Sequence, residues 1–201
     1  MLVGMAEFKP DFRKTALVVI DMQKGIVAMG RKLEPYTADQ VIANILKLVR
    51  RFRELGAPVF LVHVASIDGK DGLHPLTDQH VQWGSGQRPA DWAEFVEEIR
   101  PTRGDIIITK RQWGAFYGTE LDLQLRRRDI DTIVLCGVST NIGVETTARE
   151  AYERGYNQIF VIDAMATGSR DEHEATIRFI FPRIGLLRTT DQVLSLSQTF
   201  S

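Results

Sequence analysis

The sequence predicts an α/β protein in which a mostly parallel β-sheet is flanked by helices. Short apolar runs alternate with segments of helical periodicity, beginning with a run at 15–21, a helical pattern at 41–55 and a second run at 58–64. A strand, a helix and a strand in that order imply a right-handed crossover, which makes the two strands parallel. The 201 residues suit a single domain, 1–201, although length alone does not exclude two.

The first predicted strand ends on a charged residue. Asp21 closes the apolar run, and ligands of open α/β sheets bind at the carboxyl ends of the strands. An aspartate that only caps nearby N–H groups at the start of a loop explains this position equally well. Thr37 is predicted to cap the helix that follows, and Gly56 to end it.

The segment 65–94 is predicted to be an irregular insertion, because it lacks periodicity and is rich in glycine, proline and charged residues. A loop of this length inside a compact domain is usually a lid or a partner contact. Trp83 within it is a candidate anchor for either role, although packing on its own domain explains it more simply. A short helix is predicted at 92–99.

A third strand is predicted at 105–110, and it also ends on a charge, Lys110. The turn that follows contains three aromatic residues: Trp113, Phe116 and Tyr117. Thr119 and Asp122 resemble a capping box at the start of the next helix. The arginines at 126–128 suit the C-terminus and solvated face of that helix. They do not indicate nucleic-acid binding, because no basic or aromatic platform accompanies them.

The central segment of the chain is predicted to form a strand, a tight turn and a helix. The β-branched run at 133–135 is typical of a buried parallel strand, which Gly137 is predicted to end. Ser139 or Thr140 is predicted to cap the helix, and Gly155 to close it. Backbone N–H groups at such a helix start attract negative charge, although an ordinary connection has the same pattern.

The remainder of the chain continues the same alternation. A fifth strand is predicted at 158–163, followed by a helix that begins with a capping box at Ser169 and ends at Pro182. A last strand is predicted at 184–189, and a short C-terminal helix begins at Thr190. The sequence therefore predicts six strands with helices between them.

The composition is that of an ordinary soluble protein. A formal net charge of −1 gives no electrostatic case for nucleic acid or an anionic membrane as a partner. No apolar run approaches the roughly 20 residues of a membrane span, and the N-terminus does not read as a signal peptide. A single cysteine, Cys136, excludes an internal disulfide. These features together favour a cytoplasmic location.

Three separated motifs give the chain a family resemblance. They are Ala-Leu-Val-Val-Ile-Asp-Met-Gln at 16–23, Thr-Lys-Arg-Gln-Trp-Gly-Ala-Phe at 109–116 and Cys-Gly-Val-Ser-Thr-Asn-Ile-Gly-Val at 136–144. In this order they resemble the isochorismatase-like (cysteine hydrolase) superfamily over about 13–195. The third motif is especially similar to an uncharacterised bacterial subfamily of putative hydrolases.

The resemblance implies a six-stranded, Rossmann-like sheet and a homo-oligomer, either a dimer or a tetramer. The amidases of the superfamily use an Asp, Lys and Cys triad. Asp21 and Lys110 match the first two positions, whereas the third position is Gly143. The resemblance also implies a cis peptide between Val138 and Ser139.

The glycine shifts the expected chemistry away from amide hydrolysis. Without a thiolate at position 143 the usual acyl-enzyme route is absent, and Cys136 lies inside a strand. True isochorismatases also have glycine here, and they hydrolyse a vinyl ether. The resemblance therefore implies a small-molecule hydrolase in which Asp21 is the acid, Lys110 is its electrostatic partner and Gly143 makes room for a ring.

Substrate-binding residues are expected around this catalytic group. The resemblance and the aromatic turn select Gln23, Trp113, Phe116, Tyr117, Ser139, Thr140 and Asn141. Isochorismatases also carry a Gln and an Arg after the second strand, which the sequence at 64–69 does not reproduce. Isochorismate is therefore one candidate substrate among several.

No metal or other cofactor is predicted. The nicotinamidases of the superfamily bind a metal through an Asp-x-His pattern and a further histidine, a spacing that the four histidines lack: His63, His74, His80 and His173. Two other functions stay open. The chain is then either an inactive small-molecule-binding or scaffold protein, or an interaction module that works through the insertion at 65–94.

Overall fold

A computed structural model describes residues 8–73, 75–78 and 88–198. Six strands form one sheet in the order β3-β2-β1-β4-β5-β6, and each adjacent pair is parallel. The strands are β1 Thr15–Ile20, β2 Val59–Val64, β3 Ile106–Lys110, β4 Thr132–Val138, β5 Asn157–Ala166 and β6 Leu186–Arg188. The predicted parallel α/β sheet and its Rossmann-like order are confirmed.

Helices cover both faces of this sheet. They are α1 Lys24–Val27, α2 Ala38–Glu54, α3 Leu121–Arg126, α4 Glu145–Glu153, α5 Arg170–Ala175, α6 Phe181–Ile184 and α7 Thr190–Gln198. Residues of α2 and α7 pack on one face, and residues of α3, α4 and α6 pack on the other. The strands are apolar on both sides because each face meets a helical layer.

Several predicted element ends agree with the structure. Thr37 caps α2, and its hydroxyl accepts a hydrogen bond from the N–H of Gln40. Ser169 caps α5 in the same way. Gly155 lies just past α4 with a φ of 81°, as expected of a left-handed helix terminator.

Other predicted ends were wrong. Neither Ser139 nor Thr140 caps a helix with its side chain, because a π-helical turn, Thr140–Val144, follows β4 directly. Thr119 and Asp122 do not form a capping box, since Asp122 accepts the hydroxyl hydrogen of Tyr156 instead. The short helix predicted at 92–99 is only a 3₁₀ turn, Glu97–Ile99.

Pro182 does not end its helix either. It lies in the first turn of α6, which continues from α5 through a second π-helical turn, Thr176–Ile180. A proline in a first helical turn removes a donor that would lack an intrahelical partner anyway. The last strand, β6, is consequently shorter than the predicted 184–189.

Gly137 lies inside β4, contrary to the prediction that it ends the strand. It pairs with Ile20 of β1 and has a φ of 119°. A Cβ at this position would lie 2.1 Å from the backbone oxygen of Ile20. Position 137 therefore requires glycine, because the two backbones approach too closely for any side chain.

We expect Gly137→Ala to lower the free energy of unfolding by about 3 kcal/mol or more, from the disfavoured φ and the backbone clash. Gly56→Ala is the matched control, because Gly56 has a φ of 68° and nothing within 4 Å of its Cβ position. That control should lose only about 1 kcal/mol. Urea unfolding of both variants measures the difference, and equal losses would contradict the clash.

Candidate active site

Asp21 follows directly after β1, at the carboxyl edge of the sheet. Its backbone has a φ of 55°, and its N–H donates to the carbonyl of Val62 at 2.9 Å. The residue is only 5% exposed. One carboxylate oxygen, Oδ1, is buried and has no hydrogen-bond partner, which is a costly state for a charged oxygen.

Lys110 ends β3 and reaches Asp21 across the intervening strand β2. Its Nζ lies 2.8 Å from Oδ2 of Asp21 and donates to the carbonyl of Trp113 at 2.6 Å. The residue is 1% exposed. Two of the three ammonium N–H donors are thus engaged, and the ion pair is almost completely removed from water.

Gly143 lies beside this pair, on the π-helical turn after β4. A Cβ there would be 3.1 Å from Oδ2 of Asp21 and 3.2 Å from Nζ of Lys110. Two hydrogen bonds hold the turn: Thr147 Oγ1 donates to the carbonyl of Gly143 at 2.7 Å, and the N–H of Val144 donates to the carbonyl of Ser139, which precedes the turn. The structure therefore brings together the three residues that the sequence separates widely.

Burial raises the pKa of Asp21 above its usual range, whereas the charge and hydrogen bond of Lys110 oppose this effect. A carboxyl group in such surroundings favours its protonated form more than an exposed aspartate does. The pair therefore combines a carboxyl group that can carry a proton with a fixed positive charge. This arrangement suits general acid–base chemistry.

The expected cis peptide between Val138 and Ser139 is confirmed. Ser139 is buried, and its hydroxyl accepts a hydrogen bond from Nη2 of Arg31 at 3.0 Å. The hydroxyl of Thr140 bonds to Nδ1 of His173 at 2.8 Å, and Oδ1 of Asn141 accepts from the hydroxyl of Thr167 at 2.6 Å. All three predicted residues of this segment lie near Gly143 in the chain, but the side chain of Thr140 is committed to His173.

The side chain of Gln23 is used for structure rather than left free for a substrate. Its amide nitrogen donates to the carbonyls of Val64 and Trp92, and its amide oxygen accepts from the N–H of Val64. Phe116 is likewise occupied, since its ring packs in the core against Tyr156, 5.8 Å between centroids. Substrate binding by these two residues stays a prediction, and both side chains already have structural contacts.

Trp113 and Tyr117 are placed differently from Phe116. They are 55% and 72% exposed, on the turn whose Trp113 carbonyl binds Lys110. Trp83, His74 and His80 lie outside the described residues, as does the stretch 84–86 of the insertion. In the described ranges, no three His, Cys, Asp or Glu side chains are grouped so that they could hold a metal ion.

Sequence reasoning missed Arg31 and the role of His173. Arg31 lies in the non-helical segment between α1 and α2, where no periodicity indicates its position. His173 gave no signal beyond a single histidine in a helix, yet it is buried and contacts the turn that carries Gly143 through Thr140. Burial lowers the pKa of His173 to about 4.

The buried, neutral His173 predicts a specific acid sensitivity. In the unfolded chain a histidine takes up a proton below a pH of about 6.5, whereas the folded protein resists protonation down to a pH of about 4. The free energy of unfolding should therefore decrease by about 3 kcal/mol as the pH falls through this window. Urea unfolding at several pH values measures the slope. His173→Gln should flatten it, and an unchanged slope in this variant would exclude His173 as its cause.

Fold and site together are those of an α/β protein that binds a small molecule at the carboxyl edge of its sheet. A parallel, Rossmann-like α/β sheet carries a buried carboxyl–ammonium pair at its carboxyl edge, where such folds bind small molecules. Among the described residues, no helix combines the length and apolar character needed to cross a bilayer.

Comparison with known proteins gives the family. Residues 15–192 match the isochorismatase domain. The chain is 61% identical over 184 residues to the uncharacterized isochorismatase family protein YwoC of Bacillus subtilis (strain 168), covering 92% of this chain and 94% of that one. It is 47% identical over 184 residues to the uncharacterized isochorismatase family protein YecD of Escherichia coli O157:H7, covering 91% and 96%.

A solved structure agrees with these relatives. The chain is similar to an isochorismatase family protein from Burkholderia thailandensis with a TM-score of 0.87 and 40% identity, covering 92% of this chain and 96% of that one. The protein therefore belongs to the isochorismatase family, whose fold is that of the cysteine hydrolases.

Proposed function

We propose that the protein hydrolyses a small molecule with Asp21 as its acid and base, without a thiol nucleophile. The observation that carries this proposal is the unpartnered Oδ1 of a buried carboxyl group whose other oxygen is held by Lys110. A proton on Oδ1 removes the penalty of an unbonded buried charge and places an acid beside Gly143.

Two features argue against a cysteine mechanism in this chain. Gly143 occupies the position at which the amidases of the superfamily carry their nucleophile, as the resemblance in the third motif indicates. Cys136 cannot replace it, since it lies within β4 with no exposed surface, and burial raises its pKa far above the range of a reactive thiol.

The chemistry that fits an acid without a nucleophile is hydrolysis of a vinyl ether. Asp21 donates its proton to the terminal carbon of the double bond, which leaves an oxocarbenium ion. Water adds to this ion and returns a proton to the Asp21 carboxylate. The hemiketal then collapses to a carbonyl compound and an alcohol, so that one water is consumed and the acid is regenerated.

Lys110 has two functions in this proposal. Its charge stabilises the Asp21 carboxylate that forms after proton transfer, at a distance of 2.8 Å. The third N–H donor of its ammonium group, which neither Asp21 nor the Trp113 carbonyl takes up, is available to a substrate oxygen.

Pyruvate release from enolpyruvyl ethers tests the proposal. Isochorismate and chorismate are incubated with the purified protein, and pyruvate is measured with lactate dehydrogenase and NADH. We expect turnover of at least one ether and no hydrolysis of nicotinamide or N-carbamoyl compounds. Hydrolysis of amides alone would contradict the vinyl-ether assignment.

The alternative is an inactive protein that binds a small molecule and has kept the fold. It is favoured by the direct contact between Asp21 and Lys110, since each charge already neutralises the other. Gly143→Cys distinguishes the two cases further: its Cβ fits after shifts of a few tenths of an ångström and places a thiol beside the pair. Amidase activity gained in this variant, and absent from Gly143→Ala, would show that the pair is competent.

A further inference from the structure

Arg31 contributes a positive charge to the edge of the sheet on which Asp21 lies. It is half-buried in the segment that joins α1 to α2, and its Nη2 donates to the Ser139 hydroxyl at the end of β4. Among the described residues, no carboxylate lies within ion-pairing distance of this guanidinium. Glu172 is the acid close enough to influence it, but its carboxylate is hydrogen-bonded to the Ser169 hydroxyl at 2.9 Å.

The neighbours of Arg31 add further hydrogen-bond donors. Because Oγ of Ser139 accepts from Arg31, its own O–H remains able to donate. The amide oxygen of Asn141 is taken by the Thr167 hydroxyl, so the amide nitrogen is the group that Asn141 can offer to a ligand. Three donor groups, one of them charged, thus come from residues around the Val138–Ser139 peptide.

This donor group is adjacent to the reacting pair. Gly137 of β4 pairs with Ile20 of β1, so Ser139 and Asp21 extend from the ends of neighbouring strands. Asn141 and Gly143 lie on the same π-helical turn. A molecule that touches Asp21 beside Gly143 can therefore also reach the donors around Ser139.

We propose that Arg31, with Ser139 and Asn141, binds an anionic group of the substrate, most simply a carboxylate. The substrate is then a small organic acid whose carboxylate is held by Arg31 while its reacting bond lies at Asp21. A guanidinium presents paired N–H donors that match the two oxygens of a carboxylate. This inference deepens the proposed function and rests on it for the position of the reacting bond.

The simpler explanation is that Arg31 only ties its loop to β4. Benzoate and benzamide separate the two explanations, because they share shape and ring and differ in charge. Their dissociation constants are measured by ligand-observed NMR titration with the wild type and with Arg31→Gln. We expect the wild type to prefer benzoate, and Arg31→Gln to weaken benzoate binding at least tenfold while benzamide binding changes less than twofold.

Arg51→Gln is the matched control, because Arg51 also donates to a serine hydroxyl, that of Ser197, at 2.9 Å. It should keep the wild-type preference. Thermal melting of each variant reports whether the fold persists, and Arg31→Lys, which keeps the charge, should retain part of the preference.

Two results would overturn the inference. One is a wild type without any preference for benzoate over benzamide, and the other is an Arg31→Gln variant that folds and keeps the full preference. The titrations need no turnover. Failure here therefore leaves vinyl-ether hydrolysis standing, and a protein that releases no pyruvate can still show the charge preference.

Discussion

Asp21→Asn should reduce hydrolysis by a factor of about 10²–10⁴, the usual contribution of a general acid. The amide has the shape of the carboxyl group but cannot deliver a proton to carbon. Asparagine is also among the residues that best tolerate a positive φ, and position 21 has a φ of 55°. The loss should therefore appear in the rate of pyruvate release without a change in backbone conformation.

Asp163→Asn provides the control for removing a carboxylate from the sheet. Asp163 lies in β5, and its Oδ1 accepts hydrogen bonds from Thr190, which an amide oxygen can accept as well. This variant should keep the wild-type rate. Turnover that persists in Asp21→Asn would remove Asp21 from the mechanism.

Lys110→Met should strongly lower the stability of the protein. Methionine fills a similar volume but leaves the carboxylate of Asp21 without its counter-charge and the carbonyl of Trp113 without its donor. Breaking a buried ion pair by removing one partner lowers the free energy of unfolding by about 3–5 kcal/mol. Urea unfolding at neutral pH measures this loss.

The pH dependence of Lys110→Met gives an additional check. Lys110 opposes the rise in the pKa of Asp21, so its removal should raise that pKa further. In this variant Asp21 should then be protonated and neutral over a wider pH range. Part of the lost stability should therefore return as the pH is lowered. The double variant Asp21→Asn/Lys110→Met should be more stable than Lys110→Met alone, because it contains no unpaired buried charge. A loss that is the same at every pH, and equal in the double variant, would show that packing rather than charge is responsible.

The sheet and the pair of Asp21 and Lys110 were predictable because each depends on a strong local signal. Apolar runs mark the strands, and a charged residue at the end of such a run is conspicuous, as at Asp21 and Lys110. The parallel order then places both charges on one edge. The topology explains why Asp21 and Lys110 lie close together. It does not give the distance of 2.8 Å between them.

Other features depend on contacts that a linear pattern does not contain. Gly137 resembles a strand terminator in the sequence. The structure requires glycine there because the backbone of Ile20, on a neighbouring strand, leaves no room for a side chain. Gln23 was selected through the family resemblance, yet its amide is bound to backbone groups more than 40 residues away in the sequence. Arg31 has no periodic context, and only the path of its loop brings it to Ser139.

The hydrogen bonds of Gln23 separate the variable part of the chain from the position of Asp21. One amide fastens Val64, where the insertion leaves the sheet, and Trp92, where the chain returns. Gln23, two residues after Asp21 in the sequence, thus anchors the insertion on both sides. Mutations and length changes between these anchors should therefore leave the position of Asp21 unchanged, so that this part of the chain can vary while the contact with Lys110 is kept.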